Sequence, residues 1–497
     1  MSSQTQYASL EEQFQRIAKI DHALTFLQWD QLVMMPPGGH SCRAEAVAEL
    51  SAMRHEMLCS PRIGDQLKEA LQNCSDTEQT KSLHEMERVY ERASCIPTQL
   101  VKAQSLAGSI CEQGWRQHYK ENDWASFLKN FKKVVELSRE EARIRQEQDK
   151  EKFPTPYDAL LDLYCTGDSS FFIENIFSQL KEKLPQILAK ARQDRKIKEV
   201  DLKGAYPIES QIALNRKLME ILGFDFDKGR LDVSMHPFST GGRGDQRITT
   251  RFRQTDFLEA LLATAHETGH ASYENGLPAK WDGLPVGQAR NMCIHESQSL
   301  LFEKQLFLSP PFFTFFTDIL HEHLPLTQKW DAGQLWDAAT EVKPGLIRVE
   351  ADEVTYPMHI ILRFEIEKSL INSTIQPEDV PEIWDSKMME YLGLSTAGNY
   401  TEGCLQDIHW TDGSFGYFPS YTLGALNAAQ IFTAIQNEHQ DWTETMGRGE
   451  IGFVHRWLKE KIWNRASFLD SQELISLATG SPTDPACFLA HLEKRYG

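Results

Sequence analysis

The sequence predicts a mainly α-helical protein with one small β-sheet. Three observations carry this prediction. Apolar residues recur at spacings of three and four over most of the chain, which marks helices with one buried face. A period of two appears only briefly, between about residues 230 and 254. Hydrophobic residues make up 41% and charged residues 25% of the 497, ordinary globular usage that excludes collagen-like, disordered and disulfide-scaffold classes.

Taken in order, Leu10, Phe14, Ile17 and Ile20 define the buried face of a first helix. Pro36-Pro37-Gly38-Gly39 breaks it, and Arg43–Met57 repeats the pattern through Ala46, Leu50, Met53 and Met57. From Val134 to Lys152 the run Glu136, Arg139, Glu140, Glu141, Arg143, Arg145 predicts an exposed helix laced with ion pairs, stopped by Pro154 and Pro156. Leu231–Phe238 then reads as a strand, Ser239–Asp245 as a Gly-rich turn and Gln246–Arg253 as a second strand. In the second strand Ile248, Thr250 and Phe252 alternate with Arg247, Thr249 and Arg251. Helical periodicity returns at Asp256 and continues to the C-terminus, without internal repeats or low-complexity tracts. The expected organisation is a single domain over 1–497, with a mainly helical region over 1–225 and the chemistry over 226–497.

A net charge of −19 repels phosphate backbones, so nucleic acid is not an expected partner. Nine dispersed cysteines without a C-x-x-C pair read as reduced thiols of a cytoplasmic protein, not as a zinc ribbon or disulfide framework. No secretory signal opens the sequence, and the apolar runs Phe312–Phe316 and Ile360–Leu362 are far too short to span a bilayer. No membrane partner is expected.

The chemistry begins at His266-Glu267-Thr268-Gly269-His270. Four residues is slightly more than one helical turn, so both imidazoles leave one face and can grip one cation. Glu267, beside the first histidine, is placed to take a proton from water. The helix has a capping-box-like start at Asp256 and Glu259, a stop at Asn275-Gly276 with Pro278, and an apolar stripe of Leu258, Leu261, Leu262 and Ala265. Gly269 costs about 1 kcal/mol relative to alanine in a helix, which implies a close approach by another backbone or by substrate. A catalytic zinc takes three protein ligands, and the third comes from His295 or Glu296. Spacing leaves both open.

Two further constellations stand out. Arg348, Asp352, Tyr356, His359, Arg363 and Glu367 step by four, four, three, four and four, a polar stripe if all lie on one helix. Tyrosine and histidine beside Pro357 suit a wet cleft or a buried polar network better than a solvated face. Gly403–Trp410, with Gln406, Asp407 and His409, and Gly416–Tyr421 have the glycine and aromatic density of a substrate-lining loop. Their hydroxyl and imidazole donors can stabilise an oxyanion, although alone the segment is simply a loop with packing aromatics.

Together these pieces resemble the M32 metallocarboxypeptidases, the Taq-type thermostable carboxypeptidase family, over nearly the whole chain. His236-Pro237-Phe238 is similar to the family's HPF element, and Asp245–Thr249 to D-x-R-x-T. His266–His270 matches its zinc helix, and His295-Glu296-Ser297 its HES element. Ile347–Asp352 resembles I-R-x-x-A-D, and Gly403–Trp410 resembles G-x-x-Q-D-x-H-W. Tyr164-Cys165-Thr166-Gly167 departs from the Y-E-P-G often found there. The resemblance implies His266, His270 and Glu296 as ligands of zinc, or in some members of cobalt. It also implies a two-lobed, neurolysin-like helical molecule with a deep groove and a small sheet beside the zinc helix. The implied partners are peptides with a free C-terminus, cut one residue at a time with broad preference, and a second copy of the chain.

On that basis Glu267 is the expected general base, with His409 and Tyr421 as oxyanion donors. Arg348 and Arg247 are the expected binders of the substrate α-carboxylate, unless they pair with Asp352 or Asp245 instead. Asp352 and Gln406 complete the expected substrate-binding set. The strand Gln246–Phe252 is expected to align the peptide by β-addition. Two other functions fit the same residues: a zinc oligopeptidase cutting internal bonds, and a metal-bound peptide-binding protein without turnover. The intact Glu267 argues against the second.

Overall fold

The structure, a computed structural model, describes residues 3–194 and 200–497. Helix follows helix from Ser3–Val33 to Ile208–Ile221. In the first helix Leu10, Phe14 and Ile17 are buried at the expected spacing, joined by Leu24. The next helix, His40–Leu58, forms as expected but does not bury the expected face, because Ala46 and Met53 are exposed and, among the described side chains, only Leu58 is enclosed. Its alanines and methionines run round the helix and give no single stripe to bury. The charged run lies on Trp124–Gln148, which is not simply exposed: Phe131, Val134, Val135, Leu137 and Ala142 are buried. Arg139 there donates to the carbonyls of Leu370 and Ile375, so one of the expected surface charges joins two helices.

The sheet has three strands where the sequence predicts two. These are β1 (Gly229–Val233), β2 (Phe238–Gly242) and β3 (Asp245–Thr250), in the order β1-β3-β2. β1 runs parallel to β3 with Leu231 opposite Ile248, and β2 runs antiparallel to it with Ser239 also opposite Ile248. The Gly-rich stretch read as a turn is therefore mostly strand. Gly241 explains the composition, since a Cβ there would stand 2.1 Å from the Asp245 carbonyl oxygen. The tight turn itself is Arg243-Gly244, with Gly244 at φ +82°.

Among the described residues two large hydrophobic cores, beside two small clusters, follow from the helix packing, and each large core takes residues from both sides of position 225. One includes Leu10, Leu218, Leu261, Phe307 and Trp457; the other includes Phe131, Phe177, Phe364, Trp384 and Phe418. Met292–Leu300 lies between them, with Cys293 in one core and Ile294 in the other. Pro419–Glu438 does the same through Leu423 and Ile431. A groove of about 2810 Å³ opens between the two bodies, and the H-E-x-x-H helix forms part of its wall. Among the described residues no helix is long and apolar enough to cross a membrane.

Candidate active site

Leu258–Gly276 carries the two histidines. Asp256 caps it, accepting from the backbone amides of Leu258 at 2.8 Å and Glu259 at 3.2 Å. Glu259 does not complete a capping box; it pairs with Arg251 and Arg253. Leu261 and Ala265 face the core, while Leu258 and Leu262 face the groove. Met292–Leu300, capped by Asn291, packs against this helix. A Cβ on Gly269 would meet the Gln298 carbonyl oxygen at 2.4 Å and the Ser299 Cα at 2.7 Å. The in-helix glycine thus marks a close backbone approach. On the other side a Cβ on Gly424 would stand 2.7 Å from both Cβ and Cγ of Glu296.

This packing brings three donors together. Glu296 Oε2 lies 3.4 Å from His270 Nε2 and 3.7 Å from His266 Nε2, and the three candidate ligand atoms fall within 4.8 Å of one another. A tetrahedral centre with bonds of about 2.0–2.1 Å needs ligand atoms roughly 3.3 Å apart, so a small divalent cation fits with little movement.

The tautomers fit as well. His295 faces Glu274 through Nε2 at 3.0 Å and His270 through Nδ1 at 2.6 Å. A carboxylate only accepts, so His295 carries its proton on Nε2 and its bare Nδ1 accepts from His270 Nδ1–H. That leaves the Nε2 lone pair of His270 facing Glu296. In the same way His266 donates from Nδ1 to Glu303 at 2.9 Å and presents Nε2. His295 therefore orients His270, with both of its nitrogens engaged away from the convergence point.

The local field favours a cation. Burial works against ionising Glu296, but His266 and His270 bring it down to about 2. Burial alone would depress His266, yet the Glu296 charge and the Glu303 hydrogen bond raise it to about 9. His270, buried and beside His295, falls to about 4. Burial pushes Glu267 up to about 7, with the Glu296 charge adding to the rise.

A second cluster of opposite character lines the same groove. Arg348 donates from Nε to Asp407 Oδ1 at 2.9 Å and from an Nη to the Tyr356 hydroxyl at 2.9 Å. Arg363, fully buried, holds the other Asp407 oxygen at 2.6 and 2.7 Å. Against the cost of burial these two guanidinium groups keep Asp407 far below the ordinary carboxylate range. Two arginines against one aspartate leave net positive charge. Tyr421 stands 5.1 Å from the Arg348 guanidinium, and its hydroxyl meets His409 Nε2 at 3.1 Å. Burial, and Arg348 nearby, hold His409 at about 4 and therefore neutral.

Several expected site residues lie elsewhere. The polar stripe is not one helix: Arg348 sits in the short turn Arg348–Glu350, and the helix begins only at Tyr356, with Pro357 in its first turn. Asp352 is the cause, because its carboxylate accepts from the amides of Lys343, Val354 and Thr355 and from the Thr355 hydroxyl. It is spent on the chain and has no place in the groove lining. His359, Arg363 and Glu367 are fully buried and not on a solvated face, but their side chains form no single network: Arg363 holds Asp407 and the His359 carbonyl, while Glu367 accepts from Tyr157, Trp410 and the Gly416 amide. Arg247 pairs with Asp245 at 2.8 Å and lies against Phe26 and Trp29, also outside the groove lining. Gln406 does line the groove, but it accepts from the Arg348 amide and donates to the carbonyls of Leu346, Glu402 and Gly403, so it fixes the loop that carries Arg348. β3 is the central strand with both edges paired and offers no edge to a peptide; β2 is an outer strand, and Phe238 and Ser239 at its start line the groove.

The sequence reading missed Glu303, Glu274 and the pairing of Asp407 with two arginines. Glu303 had a signal, since seven residues after Glu296 is nearly the same face of a helix. In the structure it lies on a π-helical turn, Leu301–Phe307, that continues the ligand helix.

A helical body, a groove and a three-donor centre flanked by a buried carboxyl group are what a metallopeptidase of the H-E-x-x-H type requires. Narrower still, the chain belongs to the Carboxypeptidase Taq (M32) metallopeptidase family, whose family model matches residues 9–496. It is 35% identical over 506 aligned residues to thermostable carboxypeptidase 1 of Thermus thermophilus, covering 100% of this chain and 99% of that one. Its structure superposes on Trypanosoma cruzi metallocarboxypeptidase 1 with a TM-score of 0.96 at 37% identity, and on the M32 carboxypeptidase of Deinococcus radiodurans with 0.95 at 28%; each covers 99% of both chains. The protein is a metallocarboxypeptidase, with peptides as the substrate class.

Proposed function

We propose that this chain is a zinc carboxypeptidase that releases single C-terminal amino acids with broad preference, with His266, His270 and Glu296 as ligands and Glu267 as general base. The observation that carries this reading is the pairing, in one groove, of a cation-seeking donor set with Arg348, which is buried yet forms part of the groove lining. Tyr421 links the two: it lies one helical turn before Gly424, which packs on Glu296, and it touches Arg348. Cobalt suits the same nitrogen and oxygen donors. The working form we propose is a cytoplasmic homodimer.

When bound, the cation supplies a Lewis acid that lowers the pKa of water from 15.7 towards about 7 and polarises the scissile carbonyl. Glu267 takes the proton of the attacking water and delivers it to the leaving amine nitrogen; a carboxyl poised near 7 suits both transfers. With neutral His409 donating from Nε2–H to the Tyr421 oxygen, the Tyr421 hydroxyl proton is the one that turns to the oxyanion, away from the Tyr417 oxygen that it also meets. His409 thereby positions Tyr421. Arg348 has five N–H donors; its Nε–H goes to Asp407 and one Nη–H to Tyr356, and Nη–H groups that remain are the donors proposed for the substrate α-carboxylate. Main-chain pairing along the edge of β2 gives a grip that is blind to side-chain identity, which suits broad preference.

Metal analysis of the purified protein, paired with mass spectrometry of a digested peptide, tests the reading. One zinc per chain and a ladder of single-residue losses from the C-terminus are expected. Equal cleavage of the C-terminally amidated peptide at internal bonds would replace it with the oligopeptidase reading, which the size of the groove also accommodates.

A further inference from the structure

Cys165 and Cys293 are 128 positions apart in the chain, yet their sulfurs lie 2.9 Å from one another. Both side chains are fully enclosed. The main chain holds them together, since the Met292 amide donates to the Tyr164 carbonyl at 3.0 Å. Ser420 Oγ lies 3.3 Å from the Cys165 sulfur, close enough to donate to a thiolate, while the buried Asp168 carboxyl nearby opposes one. A disulfide requires a sulfur separation of about 2.0 Å, so the two sulfurs themselves must approach by under about 1 Å. Cys293 precedes Glu296 by three residues on the same helix, nearly one turn away.

We propose that Cys165 and Cys293 form an oxidisable dithiol whose disulfide fastens the Glu296 helix to the loop that follows Pro156–Leu161. The oxidant is a small hydroperoxide. One thiolate attacks the distal peroxide oxygen, the O–O bond breaks, and a sulfenic acid forms as water leaves. The second thiol then attacks that sulfur and expels a second water. Two thiols and one hydrogen peroxide give one disulfide and two waters, with both sulfurs oxidised and the peroxide reduced. Burial holds the Cys293 thiol well above its ordinary range, so the reaction is slow and follows transient opening of the loop. The functional consequence rests on the reading of Glu296 as a ligand: with its helix covalently tethered, the site opens less often and gives up its metal more slowly. The cross-link itself does not depend on that reading.

The test uses the metal-loaded full chain, treated with hydrogen peroxide and digested without reductant. A linked peptide pair containing Cys165 and Cys293, 2 Da lighter than the sum and separated by dithiothreitol, is expected in the parent and absent from Cys165→Ser and Cys293→Ser. In the parent, oxidation should slow metal release to a chelator by at least about threefold, reversibly, and do nothing in either serine variant. Absence of the linked pair under conditions that oxidise the exposed Cys42 overturns the proposal; a linked pair with unchanged metal release overturns its functional consequence, the slower loss of metal. If His266→Ala retains full metal while the linked pair still forms, the ligand assignment fails and the dithiol stands.

Discussion

The two sides of the groove are built on opposite principles. The metal side gathers Glu267, Glu296 and Glu303 around two histidines and attracts positive charge. The arginine side sets Arg348 and Arg363 on a single aspartate and attracts negative charge. Residues of the first lie on two helices in direct backbone contact; those of the second come together across 44 to 59 positions of sequence. A peptide with a free C-terminus matches both, with a polarisable carbonyl for one side and a carboxylate for the other. On the proposed reading, the comparison teaches that the metal and Glu267 set the reaction, whereas the opposite wall sets where along the peptide it happens.

Removing a donor from the metal side should have the largest effect. Glu296→Ala should release the metal and abolish activity, whereas His295→Ala should leave most of the metal bound, because His295 only orients His270. Metal content after dialysis decides, and an empty site in His295→Ala would reverse the two roles. Glu267→Gln should retain its metal and lose kcat by at least about 10²-fold. Near-normal turnover in this variant would remove Glu267 from the mechanism. Glu303→Ala should weaken metal binding by about 10- to 100-fold, as measured with a competing chelator, because His266 loses the acceptor that fixes its tautomer.

The arginine side should respond selectively. Arg348→Ala should lower kcat/KM on free-acid peptides by roughly 10- to 150-fold, the worth of a charge-assisted hydrogen bond of about 1.5–3 kcal/mol. The amidated peptide should change little, and equal losses on both would show Arg348 to be structural. Arg247→Ala should be the mildest, under about threefold on either peptide, because Asp245 already holds that guanidinium outside the groove lining. A selective loss on free-acid peptides there would return Arg247 to the site.

The difference between the two sides also explains what could be read from the sequence. His266, Glu267 and His270 are legible because a four-residue spacing on a helix is itself a geometric statement. Glu296 was narrowed to one of two neighbours, and spacing cannot say which of two adjacent side chains points inward. Arg348 and Asp352 were misplaced because a spacing of four reads as helix even where the first aspartate caps the helix to come. The contact between Asp407 and Arg348 spans 59 residues and leaves no local trace. β2 was hidden because its glycines signal a turn, and only the closeness of the partner strand shows why they are needed. The long helices and the break at Pro36–Gly39 needed no tertiary information.

The glycines at 269 and 424 bear on how such a centre survives sequence drift. Each puts main chain where a methyl group would not fit, so the distance from the histidine pair to Glu296 is set by backbone meeting backbone or the root of a side chain. Core leucines and phenylalanines several ångströms away can be exchanged, and small changes in their volume absorbed, without moving that gauge. Tolerance in the cores and intolerance at two glycines are the same fact.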